Sequence, residues 1–298
     1  MKLKRKVIQY PISIFLLCNF FMSCEYESEK KEIISDVVTT EIDSSLDQNR
    51  IRPIILNPVF DSIERIKISE PHIMDTSKKY IYLTFDDGPQ HGTVACFDLC
   101  KELNVKATFY MVGFHASSVN LRNIIREIDN NYPQTLLANH SFSHARNKYH
   151  FFYNNDSLAT ADLLYAQEML KVPFKIIRLP GSNSWVLKEK FKAEPLAKKV
   201  CKKLDSLGYN IIGWDLEWNF NSSSNPIQSA DEMIAKVYSK FQKNNLMTKN
   251  HLMILTHDRM FRNSNFTDSL KKFITVLQLD SNFVFETSDH YPGLKSLQ

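Results

Sequence analysis

Glycine and cysteine are both scarce in this chain. Its 298 residues include 7 glycines, about 2% against a usual share of roughly 7%, which excludes collagen-like and glycine-rich flexible chains. Each glycine therefore marks a position that needs it. Of the 5 cysteines, three lie beyond the first 24 residues: Cys96, Cys100 and Cys201. An odd number argues against a disulfide-built domain, and the apolar helical pattern around Cys96 and Cys100 predicts core packing.

A surplus of charge is missing as well. The formal net charge is +4, but residues 1–23 hold four basic side chains and no acidic one. The rest of the chain is therefore neutral, which argues against a nucleic-acid partner, because such a partner requires a basic face. With 43% hydrophobic and 23% charged residues, the composition is typical of a globular domain and excludes disordered and polytopic membrane proteins.

The amino terminus has the layout of an export signal. Four basic residues precede an apolar stretch over 12–22 that is too short to span a bilayer, so we predict a signal peptide over 1–23. The four residues that end at Cys24 resemble the lipobox of bacterial lipoproteins, which implies lipidation of Cys24. Residues 24–75 are predicted to form a tether and N-terminal extension. We expect an exported cell-envelope protein that the lipid alone holds at the outer membrane, with a periplasmic or secreted protein as the alternative.

Residues 76–298 alternate short β-branched or aromatic runs with longer helical patterns, which predicts one α/β domain with a parallel sheet. The predicted strands lie at 80–85, 105–112, 134–138, 174–178, 209–214, 251–256 and 283–286, and three of the predicted helices at 156–171, 194–207 and 226–241. Asn225 followed by Pro226 predicts where the last of these helices begins. The pattern suits either a doubly wound sheet or a barrel.

Chemically active residues follow the predicted strands. In both architectures, ligands bind at the carboxyl ends of the strands. Acidic, histidine and arginine side chains follow five of these strands: Asp86, Asp87, His140, His144, Arg178, Asp215, Glu217, His257 and Asp258. Four glycines lie beside them, namely Gly88, Gly92, Gly181 and Gly213. The sequence therefore predicts one site at this rim.

Two adjacent carboxylates and a spaced histidine pair indicate a metal site. Asp86 and Asp87 would raise each other's pKa unless a cation lies beside them, which favours a metal ligand next to a carboxylate base. His140 and His144 share one face if their segment is helical. Two histidines and one carboxylate are typical ligands of a catalytic zinc ion, and non-haem iron uses the same set.

Four segments resemble, in this order, the successive motifs of NodB-like polysaccharide deacetylases, carbohydrate esterase family 4. They are Thr-Phe-Asp-Asp-Gly-Pro at 84–89, His-Ser-Phe-Ser-His at 140–144, Arg-Leu-Pro-Gly at 178–181 and Leu-Thr-His at 255–257. The resemblance covers residues 76–298 and implies an irregular (β/α)7 barrel that forms a single catalytic domain. It also implies a metal-dependent hydrolase that removes acetyl groups from N-acetylglucosamine polymers or from acetylated xylan.

The resemblance implies a role for each motif residue. Asp87, His140 and His144 would bind one divalent metal ion, with zinc foremost and cobalt or another divalent ion as alternatives. Asp86 would be the general base that takes a proton from the attacking water. Arg178 would orient Asp86 through a charged hydrogen bond.

Other residues are implied to contact the substrate. His257 would protonate the departing amine as general acid. A backbone N–H near Gly181 would hold the oxyanion, and Leu255 would contact the acetyl methyl group. Trp214 and Trp218 are candidates for stacking on sugar rings, with core packing as the alternative for each.

One motif departs from the family pattern. Family members carry Asp-x-x-Asp-Trp after the fifth strand, whereas residues 213–220 place Glu217 near that position with no Asp-Trp after it. How this motif would tune Arg178 and His257 is therefore open. Trp185 is a third aromatic candidate of the same kind as Trp214 and Trp218.

The sequence thus predicts an N-deacetylase of a cell-envelope glycan, foremost peptidoglycan, that cleaves a carbon–nitrogen bond other than a peptide bond. The expected partner is the acetylated polysaccharide, and no protein partner is predicted. An O-acetyl esterase acting on xylan or another polysaccharide is one alternative. A glycan-binding lipoprotein without turnover is the other.

Overall fold

The computed structural model describes residues 73–298. The predicted signal peptide, the lipidation of Cys24 and the predicted tether up to residue 72 lie outside these residues. Within the described range, none of the helices combines the length and apolarity needed to cross a bilayer.

Ten strands within residues 73–298 form one sheet. Their bounds are β1 Lys79–Gly88, β2 Ala107–Met111, β3 Thr135–Asn139, β4 Ile176–Ile177, β5 Trp185–Leu187, β6 Lys190–Lys192, β7 Asn210–Ile211, β8 Leu216–Glu217, β9 His251–His257 and β10 Phe283–Phe285. All seven predicted strands are present. Three further strands, β5, β6 and β8, were not predicted.

Seven strands follow one another around the sheet in chain order: β1, β2, β3, β4, β7, β8 and β9. β9 lies beside β1 again, and every ladder between neighbours in this series is parallel. No ladder of the described residues joins β7 to β8; the β5–β6 hairpin lies antiparallel against β7 instead. The predicted irregular (β/α)7 barrel is therefore confirmed, as a barrel that is open on one side.

Seven α-helices connect the strands of the described chain. They are α1 Thr93–Glu102, α2 Val119–Asn130, α3 Tyr149–Asn154, α4 Asp156–Met169, α5 Lys198–Ser206, α6 Ala230–Lys243 and α7 Ser264–Gln278. The helices predicted at 156–171 and 194–207 correspond to α4 and α5. Cys96 and Cys100 are fully buried in α1, as predicted from their spacing.

The predicted beginning of α6 at Pro226 is wrong. The helix begins at Ala230, where Ser229 and Glu232 form a capping box that satisfies two backbone N–H groups. Pro226 instead lies in a short antiparallel bridge with Phe220. The Asn-Pro signal therefore marks a loop, and the Ser-x-x-Glu signal three residues later marks the helix.

Alternation along β1 determines which side chains reach the site. Successive residues of a strand point to opposite faces. Ile81, Leu83 and Phe85 join the core that packs against α1, α2, α6 and α7. Tyr80 and Tyr82 lie on the other face, inside the barrel, in a separate cluster. Asp86 continues that inner row, so its carboxylate is directed into the barrel at the carboxyl end of the strand.

Candidate active site

Asp86 and Asp87 are both buried, at 2% and 4% exposure, although adjacent strand residues should point to opposite faces. The pairing of β1 with β2 shifts register between Asp86 and Gly88, and Asp87 has a left-handed backbone with φ 73°. This local break in the strand removes the alternation. Both carboxylates can therefore line the same cavity.

The segment from His140 to His144 is a loop, not the helix that would place both imidazoles on one face. Ser141 has φ 73°, its N–H donates to Asn139 Oδ1 at 2.8 Å, and its Oγ accepts from the N–H of His144 at 2.9 Å. The N–H groups of residues 142 and 143 donate to Asp162 Oδ1 at 2.9 and 3.2 Å. Side chains rather than helical bonds thus bring the two histidines together.

Asp87, His140 and His144 offer ligand atoms that lie within 4.8 Å of one another. Nε2 of His140 and Nε2 of His144 approach Asp87 Oδ1 at 3.4 and 3.0 Å. The His140 Nδ1–H donates to the backbone carbonyl of Arg178 at 2.8 Å, which leaves the lone pair of Nε2 directed at the centre.

This donor set fits a divalent cation. Asp87 Oδ1 is buried without a hydrogen-bond partner, and such an atom is costly unless a cation or donor satisfies it. Burial alone would raise the pKa of Asp87, but His140, His144 and His257 hold that pKa well below its usual range. One carboxylate oxygen and two imidazole nitrogens are the ligands that a catalytic zinc ion takes, with further positions left open.

Arg178 lies behind Asp86 and is fully buried. Its Nη1 donates to Asp86 Oδ1 at 2.8 Å and to Thr84 Oγ1 at 2.5 Å. Its Nε and Nη2 donate to the backbone carbonyls of Ile212 and Gly213, at 3.2 and 3.0 Å. The guanidinium also lies over the ring of Tyr110, 4.2 Å from its centroid. Arg178 therefore fixes the Asp86 carboxylate and favours its ionised form.

His257 ends β9 directly beside Asp86, its partner in the parallel register. Its Nε2 lies 3.9 Å from Asp87 Oδ2, and the ring of Phe220 packs edge-on against it at 4.8 Å. The Nδ1 atom is buried without a hydrogen-bond partner. Burial lowers the pKa of His257, against the opposing pull of the Asp87 and Asp86 charges.

Sequence reasoning missed two residues that contact Asp87. The Nδ1–H of His115 donates to the Asp87 carbonyl at 2.7 Å, and Arg259 Nη2 donates to Asp87 Oδ2 at 2.5 Å. His115 follows β2 at its carboxyl end, so the rule that identified the other residues applies to it as well. Arg259 lies two residues beyond His257, in the turn after β9.

A cavity of about 730 Å³ opens onto these groups. Its lining includes eight of the predicted site residues: Asp86, Asp87, His140, His144, Gly181, Trp214, Leu255 and His257. Gly181 has φ +62°, and a Cβ there would come within 3.0 Å of the Tyr149 ring. Glycine is therefore required at this wall, both for the backbone conformation and for the close approach of Tyr149.

Trp218 does not reach the cavity, so its predicted sugar-stacking role is wrong. The ring is fully buried in the core and its Nε1–H donates to the carbonyl of Gln228 at 2.8 Å. Trp185 is likewise 1% exposed and donates to Asn183 Oδ1 at 3.1 Å. The core-packing alternative holds for both residues, whereas Trp214 lines the cavity.

The two acids of the divergent fourth motif have different places in the structure: Asp215 binds backbone N–H groups, and Glu217 lines the cavity. Asp215 accepts from the N–H groups of Met247 and Met253 at 2.6 and 2.9 Å, so it anchors the segment that enters β9. Glu217 lines the cavity, where burial and the charge of Asp86 raise its pKa. Neither acid is among the four acceptors of Arg178, which are Asp86, Thr84 and the backbone carbonyls of Ile212 and Gly213. The positioning of Arg178 in this chain therefore does not depend on a fourth-motif carboxylate.

The chain was compared with known proteins. Residues 74–191 match the family model of polysaccharide deacetylases. Among curated proteins, a chitin disaccharide deacetylase of Vibrio alginolyticus is 23% identical, with 72% of each chain covered. A peptidoglycan-N-acetylglucosamine deacetylase of Bacillus cereus is 31% identical over 39% of this chain and 43% of its own. The match therefore spans less than half of that second relative.

Solved structures share the fold. The catalytic domain of a peptidoglycan N-acetylglucosamine deacetylase from Eubacterium rectale has a TM-score of 0.53 at 24% identity, covering 76% of this chain and 96% of its own. A family 4 carbohydrate esterase from Streptomyces lividans, solved in complex with acetate, has a TM-score of 0.51 at 19% identity, covering 74% and 97%. These structural likenesses show the fold. The family assignment comes from residues 74–191, which belong to the polysaccharide deacetylases, and the four motifs between residues 84 and 257 are similar to those of the NodB-like members, carbohydrate esterase family 4.

Proposed function

We propose that this protein is a metal-dependent N-deacetylase that hydrolyses acetyl groups from N-acetylglucosamine units of a cell-envelope glycan, foremost peptidoglycan. The observation that carries the proposal is the pairing of two adjacent aspartates with different surroundings. Asp87 faces His140 and His144, while Asp86 is held by the buried Arg178. One carboxylate is thus available as a ligand and its neighbour as a base.

Asp87, His140 and His144 would hold the divalent ion, with zinc foremost. When bound, the ion would polarise the acetyl carbonyl and make a nearby water a stronger acid. Asp86 takes a proton from that water, since Arg178 occupies Oδ1 and the other oxygen, Oδ2, lies 3.7 Å from Nε2 of His140. The base is therefore directed at the same space as the ligands.

The departing amine also needs a proton, and His257 on the neighbouring strand β9 supplies it. His257 gives its Nε2 proton to the departing amine, because its ring lies beside Asp86 at the end of β9. A backbone N–H at Gly181 stabilises the oxyanion. Leu255 and Trp214, which line the cavity, enclose the acetyl methyl group and the sugar face.

The names of the relatives support a glycan substrate. They include deacetylases of peptidoglycan N-acetylglucosamine, peptidoglycan N-acetylmuramic acid and chitin disaccharide. The predicted export signal and the lipobox-like residues that end at Cys24 support a proposed location in the bacterial cell envelope. The enzyme would be anchored at the outer membrane, with a periplasmic or secreted form as the alternative.

Acetate release tests the proposal. The purified protein is incubated with N-acetylglucosamine oligomers, with peptidoglycan and with O-acetylated xylan, each with added zinc or after chelation. We expect acetate from the first two substrates, and its loss after chelation. Release from acetylated xylan alone would support the esterase alternative, and metal binding without acetate from any acetylated glycan would contradict the proposal.

A further inference from the structure

Arg259 lies at the metal centre without belonging to the ligand set. Its Nη2 donates to Oδ2 of Asp87 at 2.5 Å. The two histidine Nε2 atoms approach the other oxygen, Oδ1, at 3.4 and 3.0 Å. The two oxygens of a single carboxylate therefore face different partners, a cationic side chain on one side and the imidazoles on the other.

The position of Arg259 is supported by its neighbours. Its side chain is 32% exposed, and its Cζ lies 5.6 Å from the centroid of the Phe220 ring, which itself packs against His257. The Arg259 carbonyl accepts from Arg262 Nη1 at 3.0 Å. Asp87 is held from its main chain as well, through the 2.7 Å bond from His115 Nδ1 to its carbonyl. Packing on both partners distinguishes this pair from a freely exposed ion pair.

A guanidinium on Oδ2 has two effects on a carboxylate ligand. It occupies the second oxygen, so that Oδ1 alone is available to a metal ion. It also draws negative charge from the carboxylate, which then neutralises a bound cation less completely. The positive charge of Arg259 in addition repels a divalent ion nearby. Such a contact should weaken metal binding and at the same time make the bound ion a stronger Lewis acid.

We propose that Arg259 is a positioning residue that restricts Asp87 to one metal-facing oxygen and lowers the affinity of the centre for its ion in favour of turnover. The inference depends on the proposed function for the reaction that it assists. Its effect on metal binding can be measured without that reaction.

The variant Arg259→Gln shows whether Arg259 changes zinc affinity and turnover in opposite directions. The zinc dissociation constant is measured by competition with a chelator, the visible absorption of the Co²⁺-substituted protein is recorded, and kcat and KM are determined on N-acetylglucosamine oligomers. We expect zinc to bind on the order of tenfold more tightly, because a repelling charge is removed. We expect kcat to fall roughly 10–100-fold with KM little changed. The Co²⁺ spectrum should change in intensity, since Asp87 can then offer both oxygens.

Two further variants test the cause. Arg259→Lys keeps the charge but loses the planar fork, so its zinc affinity should stay near that of the wild type while kcat falls. Lys272→Gln removes one positive charge away from the site, from an exposed side chain that pairs with Asp231. We expect its zinc affinity and kcat to match those of the wild type.

The proposed role of Arg259 predicts that Arg259→Gln raises zinc affinity and lowers kcat. If Arg259→Gln weakens zinc binding along with turnover, or leaves zinc binding, turnover and the Co²⁺ spectrum unchanged, the inference is overturned. If the wild type binds zinc and releases no acetate, the proposed function fails, and the affinity and the spectrum still decide the role of Arg259.

Discussion

Two aspartate–arginine pairs lie side by side at the end of β1, and they differ in almost every physical respect. In the inner pair, Arg178 is fully buried and each of its three nitrogens donates to an oxygen. In the outer pair, Arg259 is 32% exposed, and Oδ1 of Asp87 is buried without a hydrogen-bond partner.

The difference shows how one strand end can provide two functions from one residue type. A carboxylate whose arginine is saturated and rigid is fixed in orientation and ionised, which suits a base. A carboxylate with one uncommitted buried oxygen beside two imidazoles suits a metal ligand. The distinction does not come from the aspartates themselves. It comes from the left-handed backbone at Asp87, which turns that carboxylate into the cavity, and from the hydrogen bonds that fix Arg178 beside Asp86.

Asp86→Asn should produce the largest effect, because it removes the base and leaves the ligands. We expect kcat to fall by about 10²–10⁴ while zinc still binds at one equivalent. Acetate release and the metal content of the purified variant check this. Loss of zinc in Asp86→Asn would show that the two aspartates act as a joint ligand and that the division between them is wrong.

Arg178→Met tests the inner pair through stability. It leaves the buried Asp86 carboxylate without its counter-ion, and breaking a buried pair in this way costs about 3–5 kcal/mol. Arg259→Gln should cost less than about 1 kcal/mol, because that arginine is partly exposed. Urea unfolding of both variants measures the contrast. Equal losses would mean that both pairs are structural.

The sequence was sufficient to predict both aspartates, the inner arginine Arg178 and the three histidines of the site, but not Arg259 and not the geometry of the site. Motifs after successive strands identified Asp86, Asp87, His140, His144, Arg178 and His257, because parallel strands bring their carboxyl ends to one edge. The conformation of the 140–144 loop could not be predicted, since it depends on Asp162 of α4, which is distant in sequence. The supporting bond from His140 to the Arg178 carbonyl is equally non-local.

Aromatic side chains were the weakest part of the prediction. Trp218 and Trp214 are four residues apart, yet Trp218 is buried in the core and Trp214 lines the cavity. Local sequence does not distinguish them, because a tryptophan fits either environment. Glu217 lies on β8, a strand that was not predicted. The sequence therefore could not show that Glu217 lines the cavity while Asp215 does not.

Asp258 is a third aspartate at this rim, and its hydrogen-bond partners, Gln90 and Thr93, are neutral where those of Asp86 and Asp87 include arginines. It is fully buried and accepts from Gln90 Nε2 at 2.6 Å and from Thr93 Oγ1. Burial raises the pKa of Asp258 to about 7 from its usual 3.8. The folded state therefore binds this proton more tightly than the unfolded state. The resulting stabilisation is complete below the unfolded pKa and is lost as the pH rises through about 7.

The Tm of the wild type should accordingly fall between about pH 4 and pH 7 by several degrees more than the Tm of Asp258→Asn. Differential scanning calorimetry at a series of pH values measures the difference. A parallel decline in both proteins would show that Asp258 is ionised throughout, and that an aspartate in this barrel does not need an arginine to stay charged.

Salt should have the smallest effect. Beyond residue 23, the chain has no net charge. Of the charged groups at the site, Asp86, Asp87 and Arg178 are buried and paired, so screening has little to act on there. The KM for an uncharged N-acetylglucosamine oligomer should change by less than about twofold between low and physiological salt. A steep rise in KM with salt would indicate that charge, rather than the metal centre, hydrogen bonds and stacking, holds the glycan.

The central claim is that Asp87, His140 and His144 hold a metal ion required for deacetylation. Its most direct test is a zinc titration of the chelator-treated protein, with acetate release from N-acetylglucosamine oligomers recorded at each addition, for the wild type and for Asp87→Ala. We predict that the wild type regains full activity at one equivalent of zinc, whereas Asp87→Ala neither retains zinc nor releases acetate. Full activity of the metal-free wild type, or of Asp87→Ala, would contradict the account.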